Sequence, residues 1–416
     1  MQKFIIEGGT PLRGEVTISG SKNAALPIIA ATTLINGITT LHNVPLLGDI
    51  RTMLKILENV NIKTKISSNT LTIDASAVNN NFIPYELVST MRASFLMAGA
   101  LLGRLKEVKI AHPGGCAIGA RPVGEHLHGF KALGVEIKEE HGYINATCKS
   151  SPSSGTKVTF NERSVTATEN IILASVFAEG EVSIINGAFE PHIIDLINFL
   201  NAAGAKIHTK DGIIFVQGVK DLHPIEYTIT PDYIEAGTFM ICAGITAGDV
   251  FLRNACWEDS TPEISKLQEI GVEITKEKNG IRAKGKYPFK SSLIKTAPYP
   301  GFPTDLQSQI TSLLTLAQGA SIVIETMYEK RFNHIPELIR MGAQIEIKDR
   351  SAIINGVKEL SGTKVMASDI RGGAALVIAG LAAKDTTEVL RVYHIDRGYE
   401  KIESKLQGLG AKIKRV

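Results

Sequence analysis

Cysteine is scarce in this chain: four in 416 residues, at Cys116, Cys148, Cys242 and Cys256, with no Cys-x-x-Cys pair. That spacing argues against a disulfide framework and the common zinc arrangements, so reduced thiols are expected. Tryptophan occurs once, aromatic residues make up 6% of the chain, and no basic block is interleaved with them. With 45 Lys+Arg against 42 Asp+Glu the net charge is +3, too little to point to a nucleic acid, and any cationic function must be local. No run of about 18 apolar residues is present to span a bilayer. The opening stretch MQKFIIEGGTPLRG has no apolar core of signal-peptide length. A cytoplasmic protein is expected, with no metal and with neither membrane nor nucleic acid as partner.

At 416 residues the chain exceeds what one hydrophobic core supports, so two domains of roughly 200 residues are expected. A helix-stop pattern returns six times: ENVNIK from Glu58, ALGVEI from Ala132, AAGAKI from Ala202, EIGVEI from Glu269, RMGAQI from Arg340 and GLGAKI from Gly408. Read at positions 60, 134, 204, 271, 342 and 410, its period is about 70 residues, which calls for a repeated supersecondary unit. Residues 304–356 show one unit in full. TDLQSQITSLLTLAQG reads as a helix capped by Thr304 or Asp305 and closed by Gly319, and ASIVIETM reads as a strand. HIPELIRMGA reads as a second helix and QIEIKDRSAIING as a hairpin. Six βαβαββ-like units are therefore expected. The first helix of each is apolar nearly all round, as in AALPIIAATTLI and AALVIAGLAA, and such helices are buried. The expected fold is α/β (α+β), with two domains of three units whose apolar helices share a centre and whose sheets face outward.

A buried helix leaves its first N–H groups unpaired, and the positive end of its dipole favours anions. The residues at the six starts are Lys22 and Asn23, Arg92, Ser164 and Thr166, Asp232, Asp305, and Asp369 with Arg371. The Ser, Thr and Asp residues fit ordinary N-caps. Lys22, Arg92 and Arg371 oppose the dipole, which points to a ligand.

Together GSKNAALPIIAA, HPGGCAIGARP, PDYIEAGTF, PGFPTDLQSQ, YEKRFNHIPEL and SDIRGGAALVIAG resemble the enolpyruvyl transferases, in unbroken order over essentially the whole chain. The resemblance implies a two-domain inside-out α/β barrel. Residues 21–229 would form the N-terminal domain, carrying a cysteine loop at 112–122, and residues 1–20 plus 230–416 the C-terminal domain, with the active site in the cleft between. It implies transfer of the enolpyruvyl group of phosphoenolpyruvate to the 3′-hydroxyl of UDP-N-acetylglucosamine through a tetrahedral ketal, without cofactor, as the first committed step of peptidoglycan precursor synthesis.

By resemblance the catalytic set is Cys116, Asp305, Lys22 and Arg397. Lys22, Asn23, Arg121 and Arg397 would hold the phosphate of phosphoenolpyruvate, and Arg331 and Arg371 its carboxylate side. The nucleotide sugar would touch Asn23, Arg92, Arg121, Pro122, Val123, Gly124, Glu125, Arg163, Ser164, Val165, Asp305 and Met327. Cys116 would give a proton to C3, form a covalent adduct and be the residue alkylated by fosfomycin. Glycines at 114, 115 and 119 suit a closing lid, and the Arg121 charge favours a thiolate. Two departures stand out: Gly124-Glu125 replaces the family's usual Asp-Leu, and Thr166 a usual glycine. The alternatives are the sibling reaction on shikimate 3-phosphate and a non-catalytic nucleotide-sugar-binding paralogue. His126 and His128 alternate without further metal ligands around them.

Overall fold

A left-handed residue ends one helix in every repeat: Asn61, Gly134, Gly204, Gly271, Gly342 and Gly410, with φ between 66° and 109°. Glycine carries no Cβ penalty there, and asparagine tolerates the same region. The first repeat is thus read one residue later than its sequence position, at Asn61 instead of Val60. The computed structural model describes residues 2–113, 122–149 and 152–416.

Contacts divide these residues into two units, one of residues 2–19 with 231–416, the other of the described residues of 20–230. Gly20 and Thr230 belong to the N-terminal unit, where the Ser21 N–H donates to the Thr230 carbonyl at 2.8 Å.

Among the described residues there are six four-stranded sheets, three in each unit. Residues 82–148 show the pattern. Strand Phe82–Ile83 lies parallel to Glu107–Ala111, which pairs antiparallel with Tyr143–Cys148, itself in a hairpin with Val135–Glu140. The expected βαβαββ order is therefore present. Three sheets are completed by distant segments: Glu226–Thr228 beside Ile38–His42, Arg13–Thr17 beside Asp249–Arg253, and Lys3–Glu7 between Thr386–Leu390 and Lys412–Arg415.

The apolar helices are α1 (Lys22–Ala31), α2 (Leu96–Leu105) and α3 (Val165–Ser175) in the N-terminal unit. In the C-terminal unit they are α4 (Tyr233–Ile245), α5 (Gln307–Leu314) and α6 (Ile370–Ala382). Within each unit they pack together inside the sheets; α4, α5 and α6 all touch one another. Each Leu, Ile or Phe side chain taken fully from water here is worth roughly 1.5–3 kcal/mol. The α2–α3 contact is close because Gly99 has no Cβ: one there would lie 2.3 Å from the Asn170 carbonyl oxygen.

One repeat departs from its reading. Neither Thr304 nor Asp305 caps α5; Thr304–Leu306 form a 3-10 turn without a side-chain cap. The helix stops at Leu314, well before Gly319. The Thr315 carbonyl is taken by the Val357 N–H at 2.7 Å, and Ala317–Gln318 pair as a strand with Phe289–Lys290.

Candidate active site

Asp305, released from capping, turns its carboxylate to two arginines of the C-terminal unit. Arg331 Nη2 donates to Oδ1 at 2.6 Å, while Arg371 donates to Oδ2 from Nη2 at 2.8 Å and from Nε at 3.2 Å. The arginine side chains are only 4% and 3% exposed, against 27% for Asp305, so the carboxylate is the open side of the cluster. Burial opposes the Arg371 charge, but Asp305, with Tyr399 and Asp232 beyond it, outweighs burial and raises its pKa above the ordinary arginine value. Arg331 Nε and Arg371 Nη1 are buried without a hydrogen-bond partner. Buried donors left unpaired are costly, so the cluster is assembled against an energetic penalty.

The cluster is held from behind. Thr304 Oγ1 accepts from Arg331 Nη1 at 2.9 Å and donates to Glu325, whose carboxylate also accepts from Thr296 and from the N–H groups of Met327 and Tyr328. The Arg371 guanidinium lies over the Tyr399 ring at 5.2 Å, and the Tyr399 hydroxyl is fixed by Thr238 and Gln309. Arg397 ends the 3-10 segment Val392–Arg397, and a Cβ on the next residue, Gly398, would lie 3.6 Å from Arg371 Nη1. Burial first, then the Arg331 charge, push His334 down to about 4 against the pull of Asp369, so it adds no charge at neutral pH.

In the N-terminal unit, Lys22 is the first residue of α1, which Ser21 caps, and its Nζ lies 3.7 Å from the buried Asp49 carboxylate. That carboxylate offsets the unfavourable placement of a cation at a helix start. Asn23 follows, half-buried. Arg92 donates to the Pro122 carbonyl at 2.9 Å. Glu125 accepts from the Asn161 N–H and side-chain amide at 3.2 and 3.3 Å, and the buried His126 meets Thr166 at 3.1 Å. Arg92, Pro122 to Glu125 and Arg163 to Val165 are thereby brought together. Val123 is buried, Gly124 exposed, and Ser164 caps α3.

Cys116 and Arg121 lie outside the described residues. Asp232 and Asp369 are N-caps, each accepting two backbone N–H groups of the following turn. Cys242 is a core residue whose thiol burial pushes up to about 12. Asp49, Glu325 and Tyr399 escaped the sequence reading; Asp49 alone carried a signal, as an acid in the first turn of helix Gly48–Asn59, yet acids there are ordinary. Among the described residues no group of three or more His, Cys, Asp or Glu is arranged to hold a metal ion, and no helix is long and apolar enough to cross a membrane.

The chain belongs to the enolpyruvyl transferase family, whose model, described as EPSP synthase (3-phosphoshikimate 1-carboxyvinyltransferase), matches residues 6–406. Within it, the chain is 48% identical over 417 residues to the UDP-N-acetylglucosamine 1-carboxyvinyltransferase of Trichlorobacter lovleyi, covering 100% of this chain and 99% of that one. It is 51% identical over 423 residues to UDP-N-acetylglucosamine 1-carboxyvinyltransferase 2 of Carboxydothermus hydrogenoformans, covering 100% of both. The fold matches the enolpyruvyl transferase NikO from Streptomyces tendae with a TM-score of 0.89 at 22% identity, over 100% of this chain and 99% of that one. EPSP synthase from Acinetobacter baumannii matches with a TM-score of 0.80 at 18% identity, over the whole of both chains.

Proposed function

We propose that the protein transfers the enolpyruvyl group of phosphoenolpyruvate to the 3′-hydroxyl of UDP-N-acetylglucosamine and releases phosphate. The observation that carries the chemistry is the Asp305 carboxylate held between two buried arginines that each keep an unpaired N–H. The name shared by relatives about half identical over full length supports the acceptor.

Phosphoenolpyruvate is rich in anionic oxygens, and planar guanidinium forks suit such groups. Arg331 and Arg371 take its carboxylate; Lys22, Asn23, Arg121 and Arg397 take its phosphate. Arg92, Pro122 to Glu125, Arg163 to Val165 and Met327 hold the nucleotide sugar. Asp305 accepts the proton of the 3′-hydroxyl as its oxygen bonds to C2, and Cys116 gives a proton to C3, forming the ketal. Loss of a C3 proton and cleavage of the C2–phosphate bond then give the enol ether and free phosphate.

Phosphate release from phosphoenolpyruvate is expected with UDP-N-acetylglucosamine and not with shikimate 3-phosphate; the reverse pattern would sink the assignment. A second expectation concerns the thiol. Fosfomycin with the nucleotide sugar adds one adduct, at Cys116, and Cys116→Ser loses most turnover. Mass spectrometry locating the adduct on Cys148, Cys242 or Cys256, or a fully active serine variant, removes Cys116 from the mechanism.

A further inference from the structure

A chain of hydrogen bonds with a fixed direction ends on Thr166. The chain starts at a backbone donor: the Gly99 N–H points to Asn170 Oδ1 at 2.8 Å, so the other end of that amide must be its NH2. The amide orientation is confirmed by the Phe95 carbonyl, which accepts from Asn170 Nδ2 at 3.0 Å. The same Nδ2 faces His126 Nδ1 at 2.8 Å, so Nδ1 is the acceptor and carries no proton. A neutral imidazole then has its hydrogen on Nε2. Nε2 lies 3.1 Å from Thr166 Oγ1, so histidine donates and threonine accepts. His126 and Asn170 are 2% and 0% exposed, and the imidazole stands edge-on to the Phe95 ring at 5.0 Å, which leaves them little freedom to reverse.

A hydroxyl whose lone pair is occupied in this way turns its own hydrogen elsewhere. Thr166 makes no other hydrogen bond among the described residues, and it is half-buried in the first turn of α3 beside Ser164 and Arg163. We propose that Thr166 is a specificity-determining residue for the nucleotide sugar, its hydroxyl donating to a diphosphate oxygen, with His126 and Asn170 as positioning residues that fix the direction of that donor. The proposal rests on the assignment of Arg163 to Val165 to UDP-N-acetylglucosamine under the proposed function. A phosphate oxygen is the acceptor the surroundings favour, because the hydroxyl stands in the first turn of α3, at the positive end of the helix dipole and next to the residues assigned to the nucleotide sugar. Threonine thus gives this chain a polar contact that glycine cannot make.

The test is calorimetric titration of UDP-N-acetylglucosamine and of UDP into the wild type, Thr166→Val and Thr166→Ser, with KM for phosphoenolpyruvate and Tm measured alongside. Losing one hydrogen bond to a charged oxygen weakens both nucleotides about tenfold in Thr166→Val. KM for phosphoenolpyruvate stays near the wild-type value, Tm falls somewhat because valine leaves the buried His126 Nε2–H without its acceptor, and Thr166→Ser, which restores the hydroxyl, recovers both affinity and Tm. Unchanged nucleotide affinity in Thr166→Val overturns the proposal. So does a loss shared with phosphoenolpyruvate, since that marks a structural role. If the wild type itself fails to bind the nucleotide sugar, the functional assignment falls and takes this proposal with it; binding by the wild type with no change in the valine variant removes Thr166 alone.

Discussion

Asparagine in place of Asp305 lowers kcat by about a thousandfold while phosphate and phosphoenolpyruvate bind more tightly than to the wild type. The two changes have opposite signs because the carboxylate has two jobs. In the free protein both its oxygens are taken by Arg331 and Arg371, and an incoming anion must compete with it for the same guanidinium groups. Removing the charge removes the competitor. In the proposed reaction it also removes the base that accepts the sugar proton, a base that would become available only when substrate anions draw the arginines away. Substrate binding and exposure of the base would then be one event.

The variant is also less stable without ligand. Two guanidinium groups with side chains 4% and 3% exposed lose their counter-charge, and a buried charge left alone costs about 3 kcal/mol. Inorganic phosphate should recover part of that by mass action, raising Tm more in the variant than in the wild type. Thermal melts with and without phosphate, set beside steady-state kinetics, separate the effects. A variant that keeps kcat within tenfold of the wild type would show that Asp305 does not take the proton, and an unchanged phosphate affinity would show that the arginines are not contested.

Why Asp305 differs from Asp232 and Asp369 could not be read from the chain. All three are aspartates at starts of apolar helices, and two are caps. What separates the third is two arginines 26 and 66 residues further along, brought to it only by tertiary folding. The repeat was legible for a local reason: a left-handed residue must end each second helix, and glycine serves at Gly134, Gly204, Gly271, Gly342 and Gly410. Asn61 does the same without being glycine, which is why the first repeat was misread by one residue. The strands Arg13–Thr17 and Glu226–Thr228, which complete sheets with partners about 200 residues away, leave no trace in periodicity, because parallel pairing across such a gap has no local signature. His126 illustrates the same limit: beside His128 it resembles half of a metal site, and only Asn170 and Thr166 give it a different role.

Glutamine in place of Glu263 gains stability over the wild type as pH rises from 5 to 8, and the advantage levels off above that. Glu263, in helix Thr261–Ile270, is 0% exposed and neither carboxylate oxygen has a hydrogen-bond partner. Burial pushes its pKa up to about 8, with Asp259 and Asp232 adding repulsion, and the nearby Ser260 hydroxyl and Glu263 backbone, which do not reach hydrogen-bonding geometry, offset only part of this. The folded chain therefore holds this proton more tightly than the unfolded chain, whose carboxyl titrates near 4.5. A raised pKa of this kind contributes stability that is complete below the unfolded value and is lost as pH climbs to the folded one. The difference between the two pKa values sets a ceiling of about 4–5 kcal/mol on that loss. Glutamine does not titrate, so the variant escapes the loss, although its buried amide costs about 1–3 kcal/mol at every pH for want of a partner. The net expectation is a variant somewhat less stable than the wild type at pH 5 and more stable by about 2 kcal/mol at pH 9. Other groups titrate in the same window, but they do so in both proteins, so the informative quantity is the difference in unfolding free energy at each pH. If denaturant melts at pH 5, 7 and 9 give a constant difference, the Glu263 proton is not held by the fold. If the difference grows between pH 5 and 8, the cost comes from bringing this carboxyl into the core beneath Ser260.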